Sequence, residues 1–242
     1  RPMCVNGWQE NTSDHILVAT CDNSKILEKL ETQKEVDLSQ IRGKREVYGI
    51  FCLENVPKAG KTTLVIAGSD KRGAAYGMFY LSQKMGVSPW VFWADAVPEK
   101  RETIVFDQSI ETISKEPSVR YRGFFINDEQ PCFGNWAKEK FGSSKPTPEL
   151  YEHIFELLLR LKGNYIWPAM WRSDFSMDHF ENALLADEMG VIVGASHHEP
   201  CCRSGGEFQT LRKTHPEYGT EWSFLSNAEG ISKFWRDGLL RN

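Results

Sequence analysis

No apolar run in the 242-residue sequence approaches the roughly 20 residues that a membrane-spanning helix needs. The longest, such as Tyr48–Leu53 and Thr63–Ala67, are short, which points to a soluble chain. A run of single-sign charge is missing too: 29 Lys and Arg stand against 33 Asp and Glu, for a net charge of -4 and a pI near 5.9. Nucleic acid and anionic membrane are therefore poor partners. Cysteine is sparse, with six residues (Cys4, Cys21, Cys52, Cys132, Cys201 and Cys202), too few for a disulfide scaffold. That leaves the redox compartment open. There is no internal repeat, no low-complexity segment and no Gly-x-Ser-x-Gly elbow, so a Ser/His/Asp nucleophile system has no support. Arg1–Glu10 lack the basic head and apolar stretch of a secretory leader, and there is no initiator Met, so a mature product or an excised piece fits equally well.

What is present is a globular composition, 40% hydrophobic and 12% aromatic, in a length suited to one large or two ordinary domains. Residues 1–116 alternate strand and helix signals. His15–Thr20 reads as a short buried strand, Ser24–Thr32 as a helix, and Val47–Leu53 and Thr63–Ala67 as further strands. Gly68–Gly73 (GSDKRG) breaks the pattern, and Ala74–Met85 is apolar at helical spacing with Gly86 as its stop. The GSDKRG turn has two readings: a plain structural turn, or a phosphate cradle in which amides before a helix are helped by Lys71 and Arg72. It lacks the full glycine pattern of either a dinucleotide fingerprint or a P-loop.

Residues 117–242 have a more regular rhythm, that of consecutive β/α units. Strands are predicted at Tyr121–Asn127, Asn164–Ala169 and Val191–Ser196, and helices at Tyr151–Lys162, Met177–Met189 and Ile231–Arg241. The first of these helices carries Leu150, Ile154, Leu157, Leu158 and Leu161 on one face and stops at Gly163. Unusual polar and aromatic residues follow each strand: Asn127-Asp128-Glu129-Gln130, then Trp167 through Arg172, then His197-His198-Glu199-Pro200. In a β/α barrel the loops after the strands build the active site, so these residues would converge on one mouth.

Carboxylates beside exposed aromatic rings suit sugar chemistry, in which acid and base flank the glycosidic bond and indole faces receive the C–H surface of the sugar. Asp128 and Glu129 are neighbours and would point opposite ways in extended chain, so only one is expected to enter the site. The bland reading has Asp128 capping its loop and Glu129 solvated. Trp167 and Trp171 are equally readable as barrel filler or as ligand contacts. His197, His198 and Glu199, with Cys201, Cys202 and Arg203 behind them, invite a zinc reading, but no second His or Cys cluster stands at finger-like spacing. One histidine facing the mouth and the other packed behind it is the simpler arrangement.

These residues also carry a resemblance. Pro117–Trp171, with SVRYRGFFINDEQPCFGNWA and YEHIFELLLRLKGNYIWPAMW, followed by LADEMGVIVGASHHEP at 185–200, resembles glycoside hydrolase family 115, the xylan α-1,2-(4-O-methyl)glucuronidases. The string VIAGSDKRGAAYGMFYLSQKMGVSPWVFWADAVP at 65–98 is similar to the α/β domain that precedes the barrel there, and the likeness runs over roughly residues 40–242. It implies an α/β protein: an N-terminal α/β domain over 1–116, then the first three β/α units of a truncated (β/α)8 TIM-type barrel over 117–242. The implied activity is inverting removal of (4-O-methyl)glucuronic acid side chains from glucuronoxylan or its oligosaccharides. Asp128 and Glu129 are the implied catalytic candidates, and Asn127, Trp167, Trp171, His197, His198 and Glu199 the substrate-binding ones. The general acid is expected beyond Asn242, so the chain alone is expected to be inactive. No cofactor and no metal are implied, a homodimer is left open for the full-length protein, and secretion is expected, with periplasmic or intracellular processing as the alternative. Two departures from the family pattern stand out: Cys201-Cys202 where apolar residues are usual, and an expanded loop over Leu211–Glu221. A non-catalytic carbohydrate-binding or interaction module and a metal-dependent hydrolase stay open as other readings.

Overall fold

The computed structural model describes residues 14–129, 131–196 and 198–241, the last in its backbone only. The chain divides into two units, one running to Arg120 and including Leu159–Lys162, the other formed by Tyr121–Leu158 and the residues from Gly163 onward.

In the first unit, β1 (His15–Thr20) leads into α1 (Lys25–Thr32), β2 (Tyr48–Glu54), β3 (Thr62–Gly68), α2 (Lys71–Lys84) and a short β4 (Thr112–Ile113). The strands form one sheet in the order β1-β3-β2-β4, with β1 parallel to β3 and β2 antiparallel to both β3 and β4. β3 is central and buried along nearly its whole length, which is why TLVIA reads as an unbroken apolar run. Leu27, Leu30, Leu38, Ile41, Val65 and Ala67 form the core on one side. On α2, Gly77 lets the helix approach Ile66 and Tyr48, where a Cβ would come within 2.5 Å of Ile66 Cγ2.

Asp70 settles the GSDKRG turn as a structural one. Its Oδ1 accepts the Gly73 amide at 2.8 Å and its Oδ2 the Glu46 amide at 2.9 Å, so a carboxylate already occupies the helix start that a phosphate would need. Arg72 is turned away as well, its Nε donating to the buried Glu46 at 2.6 Å. The other helix start depends on Ser24, whose Oγ accepts the Leu27 amide at 3.2 Å. Ser24→Ala is expected to cost about 1 kcal/mol, read as a fall of about 2–4 °C in Tm.

The second unit begins with β5 (Gly123–Phe125), followed by α3 (Cys132–Phe141), α4 (Pro148–Arg160), β6 (Tyr165–Trp167), α5 (Phe175–Asp178), α6 (Glu181–Met189), β7 (Ile192–Val193), α7 (Gly205–Leu211) and α8 (Ala228–Arg241). The three strands form a parallel sheet in the order β5-β6-β7. They are shorter than the sequence predicts, although pairing continues beyond them: Ile126 N donates to Trp167 O at 3.0 Å and Gly194 N to Ile166 O at 2.9 Å. β5 and β6 come so close at Gly123 that a Cβ there would lie 1.5 Å from the Tyr165 carbonyl oxygen. Ile166 is fully buried, while Tyr165 and Trp167 project to the opposite face, as alternation requires. α4 is buried through Leu150, Ile154, Leu157 and Leu158, as predicted, and also through Tyr151 and Phe155.

Three expectations need correction. Leu161 lies beyond the end of α4 and is exposed, because the chain turns at Lys162 (φ 60), the residue in left-handed conformation. Gly163 is required for space rather than for φ: its Cβ would meet Leu158 Cδ1 at 2.4 Å and Arg122 O at 3.1 Å. The single helix predicted over Met177–Met189 is two helices. His179 is extended between them (φ -148, ψ 103), and the buried Asn182 donates from Nδ2 to the Phe175 carbonyl at 2.9 Å. Leu211–Glu221 runs from the last residue of α7 as a loop, makes a tight turn at Pro216–Tyr218, and buries Tyr218 in a cluster with Phe208, Ile231 and Phe234. Among the described residues no helix is long and apolar enough to cross a membrane.

Candidate functional site: a cleft beyond the ends of the parallel strands

Phe125, Trp167 and Val193 close the three parallel strands, and the loops that follow them enclose a cleft of about 320 Å³. That is enough room for a small ligand such as one or two sugar rings. It is lined by Phe125 at the end of β5 and Ile126, Asn127, Asp128 and Glu129 after it, by Trp167 at the end of β6 and Pro168, Met170 and Trp171 after it, and by Ser196, His198 and Glu199 after β7. Seven of the eight residues singled out from the sequence are therefore brought to one place. The eighth, His197, lies outside the described residues, as does Gln130.

The three carboxylates differ sharply. Asp128 is only 2% exposed, and its oxygens face the chain that follows β6. Oδ1 accepts the Trp171 amide at 3.2 Å; Oδ2 accepts the Arg172 amide at 2.7 Å and the Ser173 hydroxyl at 2.8 Å. From the other side, the buried Tyr151 hydroxyl accepts the Ala169 amide at 3.2 Å. Burial pushes the Tyr151 phenol well up, and the nearby Asp128 charge adds to the effect. Glu199 is buried as well, its Oε2 accepting both the amide and the hydroxyl of Ser196. Glu129 is exposed. Both members of the Asp128-Glu129 pair line the cleft, contrary to the expectation that one would be excluded, because they differ in depth: one lies buried beneath a loop and the other open to solvent.

The rings form the other half of the site. Trp171 is 62% exposed, and its ring stands edge-on to that of His198 at 5.2 Å and 70°. Trp167 is held by its Nε1, which donates to Tyr165 Oη at 2.9 Å, and it packs 6.1 Å from Phe125. Phe125 and Ser196 were not singled out in the sequence. For Phe125 the missing signal is its register opposite Trp167, a property of strand pairing. Among the described residues no group of three His, Cys, Asp or Glu side chains gathers as a metal site requires.

A cleft bounded by parallel-strand ends, with carboxylates and exposed rings, has the residue types that sugar chemistry uses. The comparisons narrow it. The model of glycosyl hydrolase family 115 matches residues 114–242. A solved structure described as a family GH115 4-O-methyl-alpha-glucuronidase with specificity for decorated arabinogalactans superposes with a TM-score of 0.78 at 35% identity over 92% of this chain. The chain belongs to glycosyl hydrolase family 115. It spans 28% of that relative's length. No curated protein matches it.

Proposed function

We propose that the protein to which these residues belong removes (4-O-methyl)glucuronic acid side chains from a decorated plant-type polysaccharide, glucuronoxylan or arabinogalactan. The 35% identity over 92% of the chain to a 4-O-methyl-alpha-glucuronidase carries this reading. The cleft supports it chemically, since it pairs an exposed carboxylate, Glu129, with the exposed edge formed by Trp171 and His198. The sugar ring lies against Trp171, while Asn127 and His198 offer hydrogen bonds to its hydroxyls. Hydrolysis with inversion uses two carboxylates roughly 6.5–9.5 Å apart, one of which protonates the leaving oxygen while the other activates water. Glu129 supplies one of them.

The test is release of free uronic acid by the whole enzyme from glucuronoxylan and from a uronic acid-decorated arabinogalactan, side by side. Release from either supports the reading and identifies the backbone. Binding without release would favour the carbohydrate-binding module instead. Trp171→Ala is expected to raise KM about tenfold with a smaller change in kcat, the scale of one lost ring contact.

A further inference from the structure

We infer that Asp128 is the positioning residue of the cleft, a buried carboxylate that holds Trp171 at the angle at which it meets the sugar, rather than a group that exchanges protons with it. The inference rests on the sugar-binding reading of the cleft. It starts from where the two oxygens point. Two successive amides, Trp171 N and Arg172 N, and the Ser173 hydroxyl all converge on Asp128 at 2.7–3.2 Å. A carboxylate has about four acceptor sites, so three are occupied by the loop. Hydrogen bonds to a charged acceptor are among the strong ones, so two successive amides and a hydroxyl on one buried carboxylate fix the path of the loop.

The neighbouring strand uses the same device. Glu199, also buried, gathers the Ser196 amide and hydroxyl, and the Ser196 hydroxyl in turn lies 3.3 Å from the His198 amide. Two loops from two strands are thus each anchored on a buried carboxylate. Their tips, Trp171 and His198, are the residues whose rings meet. The acceptors that line the cleft but point into backbone shape it. The exposed Glu129 is the one with access to water and substrate.

The test uses the whole enzyme with Asp128→Asn, Trp171→Ala and the double variant. Asparagine keeps the shape but places an NH2 group where a donor already points. Hydrogen exchange at the Trp171 and Arg172 amides is expected to speed up by at least tenfold, while the Ile166 and Trp167 amides of β6 stay protected and report that the fold is intact. On a uronic acid-decorated substrate, KM is expected to rise about tenfold, kcat to stay within about threefold, and the acidic limb of the pH profile to persist. In the Trp171→Ala background, Asp128→Asn is expected to add less than about twofold, the non-additivity of two residues that act as one unit. Should Asp128→Asn fail to fold, Ser173→Ala removes one donor only and is read in the same way, with a smaller shift. The inference is overturned by unchanged exchange at 171 and 172, or by a hundredfold loss in kcat at constant KM with the acidic limb gone, which would make Asp128 the base. Absence of uronic acid release by the wild type overturns the proposed function alone, because the exchange measurement needs no turnover.

Discussion

Glu207→Ala is expected to destabilise the second unit by about 3–5 kcal/mol, the cost of stranding a buried charge, and to lower Tm by roughly 10 °C. Arg203 and Glu207 form a pair whose side chains are only 5% and 2% exposed, with Nε and one terminal nitrogen of the guanidinium both 2.9 Å from Glu207 Oε1. The other terminal nitrogen donates to the Phe234 carbonyl at 2.7 Å, and the guanidinium lies 3.9 Å from the Phe234 ring centroid. One cation thereby ties the start of α7 to the middle of α8, across the cluster of Phe208, Tyr218, Ile231 and Phe234. Removing Glu207 leaves that cation with the Phe234 carbonyl, the Phe234 and Tyr218 rings and only the more distant Asp237 as counter-charge. The double variant Arg203→Met, Glu207→Leu is expected to recover most of the loss, because a well-packed apolar pair does not have to offset desolvation. Thermal unfolding of both variants decides it: a fall of less than about 1 kcal/mol for Glu207→Ala would mean that water reaches the guanidinium and replaces the carboxylate.

Much of this architecture was legible because it is written in short-range pattern. The strand over His15–Thr20 appears at its predicted bounds, though as an edge strand with Ile16 and Val18 exposed rather than as a buried one, and the loops after the three parallel strands do meet in one cleft. What stayed illegible depends on partners far along the chain. GSDKRG has the composition of an anion cradle, and only the Glu46 amide, 24 residues away, together with the Gly73 amide shows that Asp70 already fills it. The antiparallel direction of β2 is set by pairing with β3, which strand periodicity does not encode. The helix α3 is marked by Phe133, Trp136 and Ala137 at helical spacing and by Gly142 in left-handed conformation, a signal that was present but buried among polar neighbours. The role of Asp128 is the clearest case. Its three donors lie 43, 44 and 45 residues downstream, so nothing local separates a loop anchor from a catalytic carboxylate.

The same contrast leads to the largest expected effect on turnover. Glu129→Gln is expected to lower kcat on a uronic acid-decorated glycan by about a hundredfold or more, with KM changed by less than about threefold, the scale of losing an acid/base group. Glutamine preserves size, and Glu129 is exposed, so stability should not move and Tm serves as the control. An aryl glycoside with a good leaving group separates the two tasks a carboxylate can perform. A general acid is dispensable when the leaving group departs unaided, so the loss would shrink on that substrate; a general base is needed in either case, so the loss would persist. A kcat within tenfold of wild type on both substrates would remove Glu129 from the chemistry. Asp128 and Glu129 are adjacent in sequence and line the same cleft at different depths, one buried and the other exposed. In the proposed function the buried carboxylate holds the shape of the cleft and the exposed one meets the substrate.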